Sequence, residues 1–290
     1  MDKLLPTLGT AIDDTDQEAF LVFSQDIPSN SLGFVDSKSS ELDISISGKD
    51  FVIKQSPGVL NSNRKQGTTG AVLWQVSPRF AEWVSAPSNF LFTHGVLNDS
   101  SVVLELGCGI SGIIALALSP KIGTYICTDQ AYVLKQLKQN ITDNIQSSKP
   151  KSVPKVSRKR TADVPTTDSI GNVTIKALDW ETDSINGFLS GLNLTQAAKH
   201  VQLVVACDCI YNEALVDPLV DTCADICKLA PADSPTICIF AQQLRSPDVF
   251  ECWLKAFHAK FQVWRLEVEL LSKDLSENSG FVVHVGILRD

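Results

Sequence analysis

The 290-residue chain predicts an α/β fold: an open, mostly parallel sheet that ends in an antiparallel hairpin. Three observations predict it. Strand and helix signals alternate regularly after residue 100. Residues 201–207 form an apolar, β-branched run suited to a strand buried on both faces of a parallel sheet. The last two strands, 263–270 and 281–288, are separated only by a polar stretch, so a hairpin is their natural connection. The length exceeds that of a usual domain, but α/β sheets reach it as one core with an extension.

Taken in order, residues 42–47 alternate as LDISIS and FVIKQ follows at 51–55, which predicts a small β-hairpin. Residues 1–65 are therefore read as an N-terminal extension and 66–290 as the main domain. The first core strand is 101–106, and a helix begins over 112–118. A second strand, 124–128, ends at Asp129. In 131–145, Val133, Leu134, Leu137, Ile141 and Ile145 recur at helical spacing. Residues 146–170 hold Pro150, Pro154 and Pro165 among many Ser, Thr and basic residues, and predict a mobile basic insertion over 147–170. Beyond it lie a strand at 173–178, the buried strand 201–207, and a helix at 213–229 with Leu215, Leu219, Ala224 and Cys227 on one side. A strand at 236–241 and a helix at 249–257 complete the series. A βα series closed by a hairpin departs from the two mirrored halves of a dinucleotide-binding domain.

Composition narrows the class. Hydrophobic content of 44% and charged content of 20% fit an ordinary globular protein. A net charge of -8 argues against a surface that binds nucleic acid throughout. The charge is uneven: residues 1–50 carry ten Asp or Glu against three Lys, while 149–160 carry six basic side chains and no acid. That basic run is of the kind that reaches the nucleus or touches RNA, although such runs are often only solvated loops. No 18-residue apolar run or signal segment is present, so a cytoplasmic protein without membrane contact is expected, with nuclear access through the basic run. Eight cysteines show no C-x-x-C pair or His cluster, and are read as reduced core thiols with no disulfide and no metal site.

The stretch VLELGCGISG, residues 103–112, carries the chemistry. It stands at the C-terminal end of a core strand, where open parallel sheets bind ligands. Gly107 and Gly109 would let backbone approach a ligand, and Gly112 would let the new helix pack on the sheet. By itself the turn fits a dinucleotide or S-adenosylmethionine, and Asp129 could bind ribose hydroxyls in either case. Glu105 favours the second, since a carboxylate is awkward beside a pyrophosphate but favourable near an ammonium and a sulfonium. Trp180, in the LDW that follows the third strand, can stack on a base or simply pack in the core. In VVACDCIY, Asp208 emerges from a buried run with Tyr211 three residues later, and a helix N-cap is the plainer role for that acid.

TTGAVLWQVSPRFAEWV (68–84), VLELGCGISG, the strand ending in Asp129, LDW and ACDCIYNEALV (206–216) together resemble the seven-β-strand protein-lysine methyltransferases. With its long N-terminal segment and basic insertion, the chain is most similar to the fungal ribosomal-protein lysine methyltransferases. The resemblance implies a Rossmann-like, seven-stranded class I sheet that takes S-adenosyl-L-methionine. It further implies that Trp74 lies over the cofactor, that Gly107, Cys108 and Gly109 line its methionine part, and that Asp129 binds ribose. Trp180 would lie beside adenine, Ala206 would supply backbone, and Asp208 and Tyr211 would form the D-x-x-Y motif facing the substrate lysine. Cys108 is a mild departure at a position that chiefly offers backbone.

The implied reaction is methyl transfer to a lysine ε-amine of a ribosomal protein, expected in the large subunit. The implied enzyme is a monomer with no nucleic-acid substrate, although its insertion could touch ribosomal RNA. A nicotinamide oxidoreductase would call for a Tyr-x-x-x-Lys pair, but Tyr132 and Lys135 are three apart and Tyr211 has no lysine four residues on. A nucleic-acid methyltransferase would call for an N-P-P-Y-like loop where D-C-I-Y stands. A non-catalytic ribosome-bound adapter would have little use for the full set Trp74, Asp129, Trp180, Asp208 and Tyr211.

Overall fold

A computed structural model describes residues 4–30, 32–62, 68–147, 168–192 and 200–289. The basic insertion expected over 147–170 lies outside the described residues except for 147 and 168–170.

The N-terminal part holds helix α1 (Thr15–Phe23), the hairpin β1 (Glu41–Ile46) and β2 (Lys49–Lys54), and the short helices α2 (Pro57–Leu60), α3 (Val76–Ser85) and α4 (Phe90–Thr93). The core then alternates as β3 (Val102–Leu106), α5 (Ile113–Leu118), β4 (Thr124–Asp129) and α6 (Ala131–Ser147), followed by β5 (Asp168–Ile170), β6 (Val173–Ala177) and α7 (Ile185–Ser190). It ends with β7 (Leu203–Cys207), α8 (Val216–Cys227), β8 (Ile237–Gln243), α9 (Pro247–Lys260), β9 (Phe261–Arg265) and β10 (Phe281–Leu288).

Among the described residues the main sheet has eight strands in the order β5-β6-β4-β3-β7-β8-β10-β9. Strands β6, β4, β3, β7 and β8 run parallel. Strand β10 is antiparallel to both β8 and β9, which is the expected closing hairpin. From β3 the chain moves outward to β4 and β6, then returns to β7 on β3's other side. The sheet therefore has its crevice where strand order reverses, above β3 and β7.

Several boundaries differ from expectation, each for a local reason. Residues 168–170, assigned to the insertion, form an eighth strand that pairs antiparallel with β6. The strand expected over 263–270 stops at Arg265, and 268–270 coil into a 3-10 turn that leaves Val268 49% exposed. Leu270 still packs against the core from this turn. The helix expected over 213–229 is a 3-10 turn, Glu213–Leu215, followed by α8. That start places Pro218 in the first turn, where its missing N–H is not needed. Helix α9 likewise begins early, on Pro247, a favoured first helical residue.

Both faces of the sheet are covered, so each central strand is buried throughout. Val103, Leu203 and Val205 face one core with α3 and α5, while Leu104, Val204 and Ala206 face another with α8 and α9. The N-terminal hairpin is fastened to the first core by hydrogen bonds. From α6, Asn140 accepts from Lys54 N at 3.0 Å and donates to Lys54 O at 2.9 Å and Ile110 O at 2.7 Å. Asn144 pairs in the same way with both backbone groups of Val52. Two side-chain amides thus satisfy the open edge of β2 and tie it to the glycine turn.

Seven cysteines lie buried and Cys252 is exposed, outside the core role expected for all eight. No helix among the described residues is long and apolar enough to cross a membrane.

Candidate functional site

The C-terminal ends of β3, β4, β6 and β7 surround a cleft of about 890 Å³, part of it open to solvent. One wall is the turn after β3. Gly107 and Gly112 have φ of +68° and +59°, a left-handed backbone that favours glycine. A Cβ on Gly107 would stand 2.7 Å from Cys209 Sγ, and one on Gly112 would stand 2.5 Å from Ile141 Cδ1. The first glycine keeps the cleft floor flat, and the third lets α6 pack close.

Asp129, at the tip of β4, locks this turn. Its Oδ2 accepts the Gly109 N–H at 2.7 Å and its Oδ1 accepts the Gln130 N–H at 2.6 Å. Burial pushes its pKa up to about 6, and the two backbone N–H groups oppose that rise. The segment before α3 lies over the turn, because Ile110 N donates to Gly70 O at 2.9 Å. Trp74 is held there by its indole N–H, which donates to Thr69 O at 3.1 Å, and by Phe34, whose ring centroid is 4.2 Å away. Across the cleft Trp180 follows β6, and its buried Nε1 has no acceptor among the described residues.

The opposite wall comes from β7 and β8. Asp208 follows β7 with a left-handed φ of +58°, rare for a residue with a side chain. Its Oδ1 accepts from Gln243 N at 3.2 Å and forms an ion pair with Arg245. Its Oδ2 is buried with no donor among the described residues. Burial raises its pKa, and the charge and hydrogen bond of Arg245 oppose that rise without cancelling it. Arg245 also stacks on Trp74, with its guanidinium carbon 4.5 Å from the ring centroid. Tyr211 is 41% exposed, with a hydroxyl pKa raised by burial and lowered by a hydrogen bond to Thr69.

The structure thus brings Trp74, Gly107, Cys108, Gly109, Asp129, Trp180, Asp208 and Tyr211 to one cleft. It leaves Glu105 and Ala206 beneath the lining, 3% and 1% exposed. Glu105 accepts from the Tyr125 hydroxyl at 2.6 Å. Burial pushes its pKa up to about 7, against the Tyr125 hydrogen bond and with the Asp129 charge. Sequence reasoning missed Arg245, the partner of Asp208. The only signal for it was a basic residue just past the end of β8, the strand beside β7.

A family model described as lysine methyltransferase matches residues 54–251. Ribosomal lysine N-methyltransferase 5 of Zygosaccharomyces rouxii is 32% identical over 225 residues, covering 71% of this chain and 70% of its own. The protein of that name from Vanderwaltozyma polyspora is 28% identical over 304 residues, 91% of this chain and 93% of its own. A Schizosaccharomyces pombe protein named diaminohydroxyphosphoribosylamino-pyrimidine deaminase is 27% identical over 265 residues, and this chain spans only 56% of its length. Among solved structures, the N-methyltransferase NodS of Bradyrhizobium japonicum with S-adenosyl-L-homocysteine aligns at a TM-score of 0.40 and 12% identity, over 70% of this chain and 90% of its own.

Proposed function

The chain belongs to the lysine methyltransferase family, and on that premise we propose that it methylates the ε-amine of a lysine in a ribosomal protein, with S-adenosylmethionine as donor. One observation carries the reading: the glycine turn with Asp129, and the Asp208–Tyr211 pair some hundred residues later, line a single cleft. The ribosomal target is supported by the fungal relatives, which are ribosomal lysine N-methyltransferases. In this reading the enzyme works as a monomer in the cytoplasm, acts on a large-subunit protein, and uses its basic run at 149–160 to meet ribosomal RNA.

The cleft suits the donor. The flat backbone at Gly107 leaves room that a Cβ would take, the buried Trp180 N–H lacks an acceptor among the described residues, and Asp129 faces the turn with a carboxylate. Gly107, Cys108 and Gly109 would hold the amino-acid end, Asp129 the ribose, and Trp74 and Trp180 the flat faces. When bound, the donor supplies an electrophilic methyl group on a sulfonium.

The chain's part is alignment, which can lower a barrier by roughly 7–11 kcal/mol. The incoming amine must be neutral, yet at a reference pKa of about 10.4 fewer than about one lysine in a thousand is neutral at pH 7. Burial between Trp74 and Tyr211 depresses that pKa, whereas Asp208 raises it. Arg245 limits the second effect by sharing the Asp208 charge. Oδ2, without a donor among the described residues, then orients the amine, and Tyr211 closes the mouth. To test the target, the protein is incubated with methyl-labelled donor and separated ribosomal or other cell proteins. Label confined to a ribosomal protein band is expected, and label only in other bands would overturn that assignment.

A further inference from the structure

A second, smaller cavity of about 330 Å³ lies behind Tyr211 and Arg245, which also border it, and is otherwise lined by Phe23, Gln242, Ser246 and Phe250 with their neighbours. Tyr211 also lines the first cleft, so the two spaces share a wall. The second has a flat apolar body: Phe23 and Phe250 meet edge to face with centroids 5.4 Å apart. Two of its buried donors lack partners among the described residues. Gln242 is only 3% exposed, and its Nε2 has no acceptor among the described residues. The same is true of Arg245 Nε, whose terminal nitrogen is engaged by Asp208. Ser246 is the N-cap of the 14-residue helix α9, and its side chain does not cap the helix. Ser246 also lines the cavity, so this end of α9 borders it.

Unpaired buried donors are costly unless a partner arrives. We propose that this cavity is a substrate subsite that seats a side-chain oxygen acceptor, an amide or a carboxylate, of the residue adjacent to the target lysine. The inference rests on the lysine-methylation reading for its placement beside Tyr211, but its chemistry comes from Gln242, Arg245 and α9. The shared wall keeps the two sites within reach of neighbouring residues on one extended peptide. Phe23 makes α1 part of the specificity apparatus, because it supplies the wall that faces Phe250.

The test uses the full chain loaded with S-adenosylhomocysteine. The probes are acetyl-Asn-Lys-amide, acetyl-Asp-Lys-amide, acetyl-Ala-Lys-amide and the three peptides with lysine first, titrated by calorimetry or NMR. In one of the two orders, the Asn or Asp peptide should bind about tenfold more tightly than the Ala peptide, as one hydrogen bond to a buried donor would give. Whether Asn or Asp wins separates amide from carboxylate. Gln242→Met, of similar volume, should erase the preference. Gln242→Glu, which inverts the donor, should turn it against Asp and carries the test should the Met variant fail to fold. Equal binding of all three by the unaltered protein, or a preference unchanged in both variants, overturns the subsite. Methyl transfer to the same peptides separates the two ideas: a Gln242-dependent preference without transfer to any lysine supports the subsite and contradicts lysine methylation. Transfer without the preference does the reverse.

Discussion

Burial raises the pKa of Asp208, and Arg245 works against that rise by charge and by hydrogen bond. The pair is asymmetric, since the Asp208 side chain is 2% exposed and that of Arg245 is 25% exposed. Asp208→Asn keeps the size and tolerates the left-handed backbone, but leaves Arg245 without its counter-charge. We expect it to bind S-adenosylhomocysteine normally, to lose about 1–3 kcal/mol of stability, and to transfer methyl groups about a hundredfold more slowly. Equilibrium dialysis, urea unfolding and a labelled-donor assay read the three effects, and unimpaired transfer would discard the role given to Asp208. Glu105 offers a separate test. Its pKa of about 7 in the folded protein exceeds its ordinary 4.5, so between these values the folded protein holds a proton that the unfolded chain has released. Stability is therefore lost as pH rises through this window, by on the order of 3 kcal/mol, with no further loss above it. Glu105→Gln should match the wild type at pH 4.5 and be the more stable of the two at pH 8 in urea unfolding. A variant no more stable at pH 8 would contradict this account of the buried carboxyl.

The glycine turn and α6 act together, and two substitutions probe the joint. Gly112→Ala would press a methyl group toward Ile141 and Leu137 at a left-handed φ. A loss of about 2–4 kcal/mol follows from overpacking and backbone strain combined. Asn140→Leu would strand three backbone groups, two on β2 and one at Ile110, at a cost of about 3 kcal/mol. Thermal unfolding measures both, and changes within about 0.5 kcal/mol would match ordinary surface positions instead. These elements also mark what sequence could disclose. The turn was legible because left-handed backbone demands glycine, and β7 because a strand covered on both faces cannot alternate. Strand β5 was not, since three residues that gain strand geometry only by pairing with β6 carry no pattern of their own. Arg245 was hidden for a related reason: its meaning lies in Asp208, 37 residues away, and in the stacking surface of Trp74. Glu105 was read from its charge as facing the cleft, but the side chain turns to Tyr125 under the lining.

At the scale of the molecule, residues before the main sheet share its cores. Leu4, Leu8, Phe51 and Ile53 join the cluster with α3 and α5, while Ala19 and Val22 join that of α8 and α9. Helix α1 was absent from the sequence reading, although Asp14 caps it by accepting from Asp16 N and Gln17 N, both at 2.9 Å. Its Glu18 reaches the far edge of the sheet, 3.1 Å from His284 Nε2 and 3.5 Å from Arg265 Nε. Glu18→Ala should therefore loosen α1 from β9 and β10 and cost about 1–3 kcal/mol in urea unfolding. A change near zero would mean that this anchor does not hold the helix. Strand order makes one crevice, with the glycine turn on one wall and Asp208, paired with Arg245, on the other. The most direct measurement is to incubate the protein with methyl-labelled S-adenosylmethionine and ribosomal proteins, hydrolyse the products to amino acids, and identify the labelled one. The account predicts label in ε-N-methylated lysine. Label in any other amino acid, or in nucleic acid alone, would contradict it.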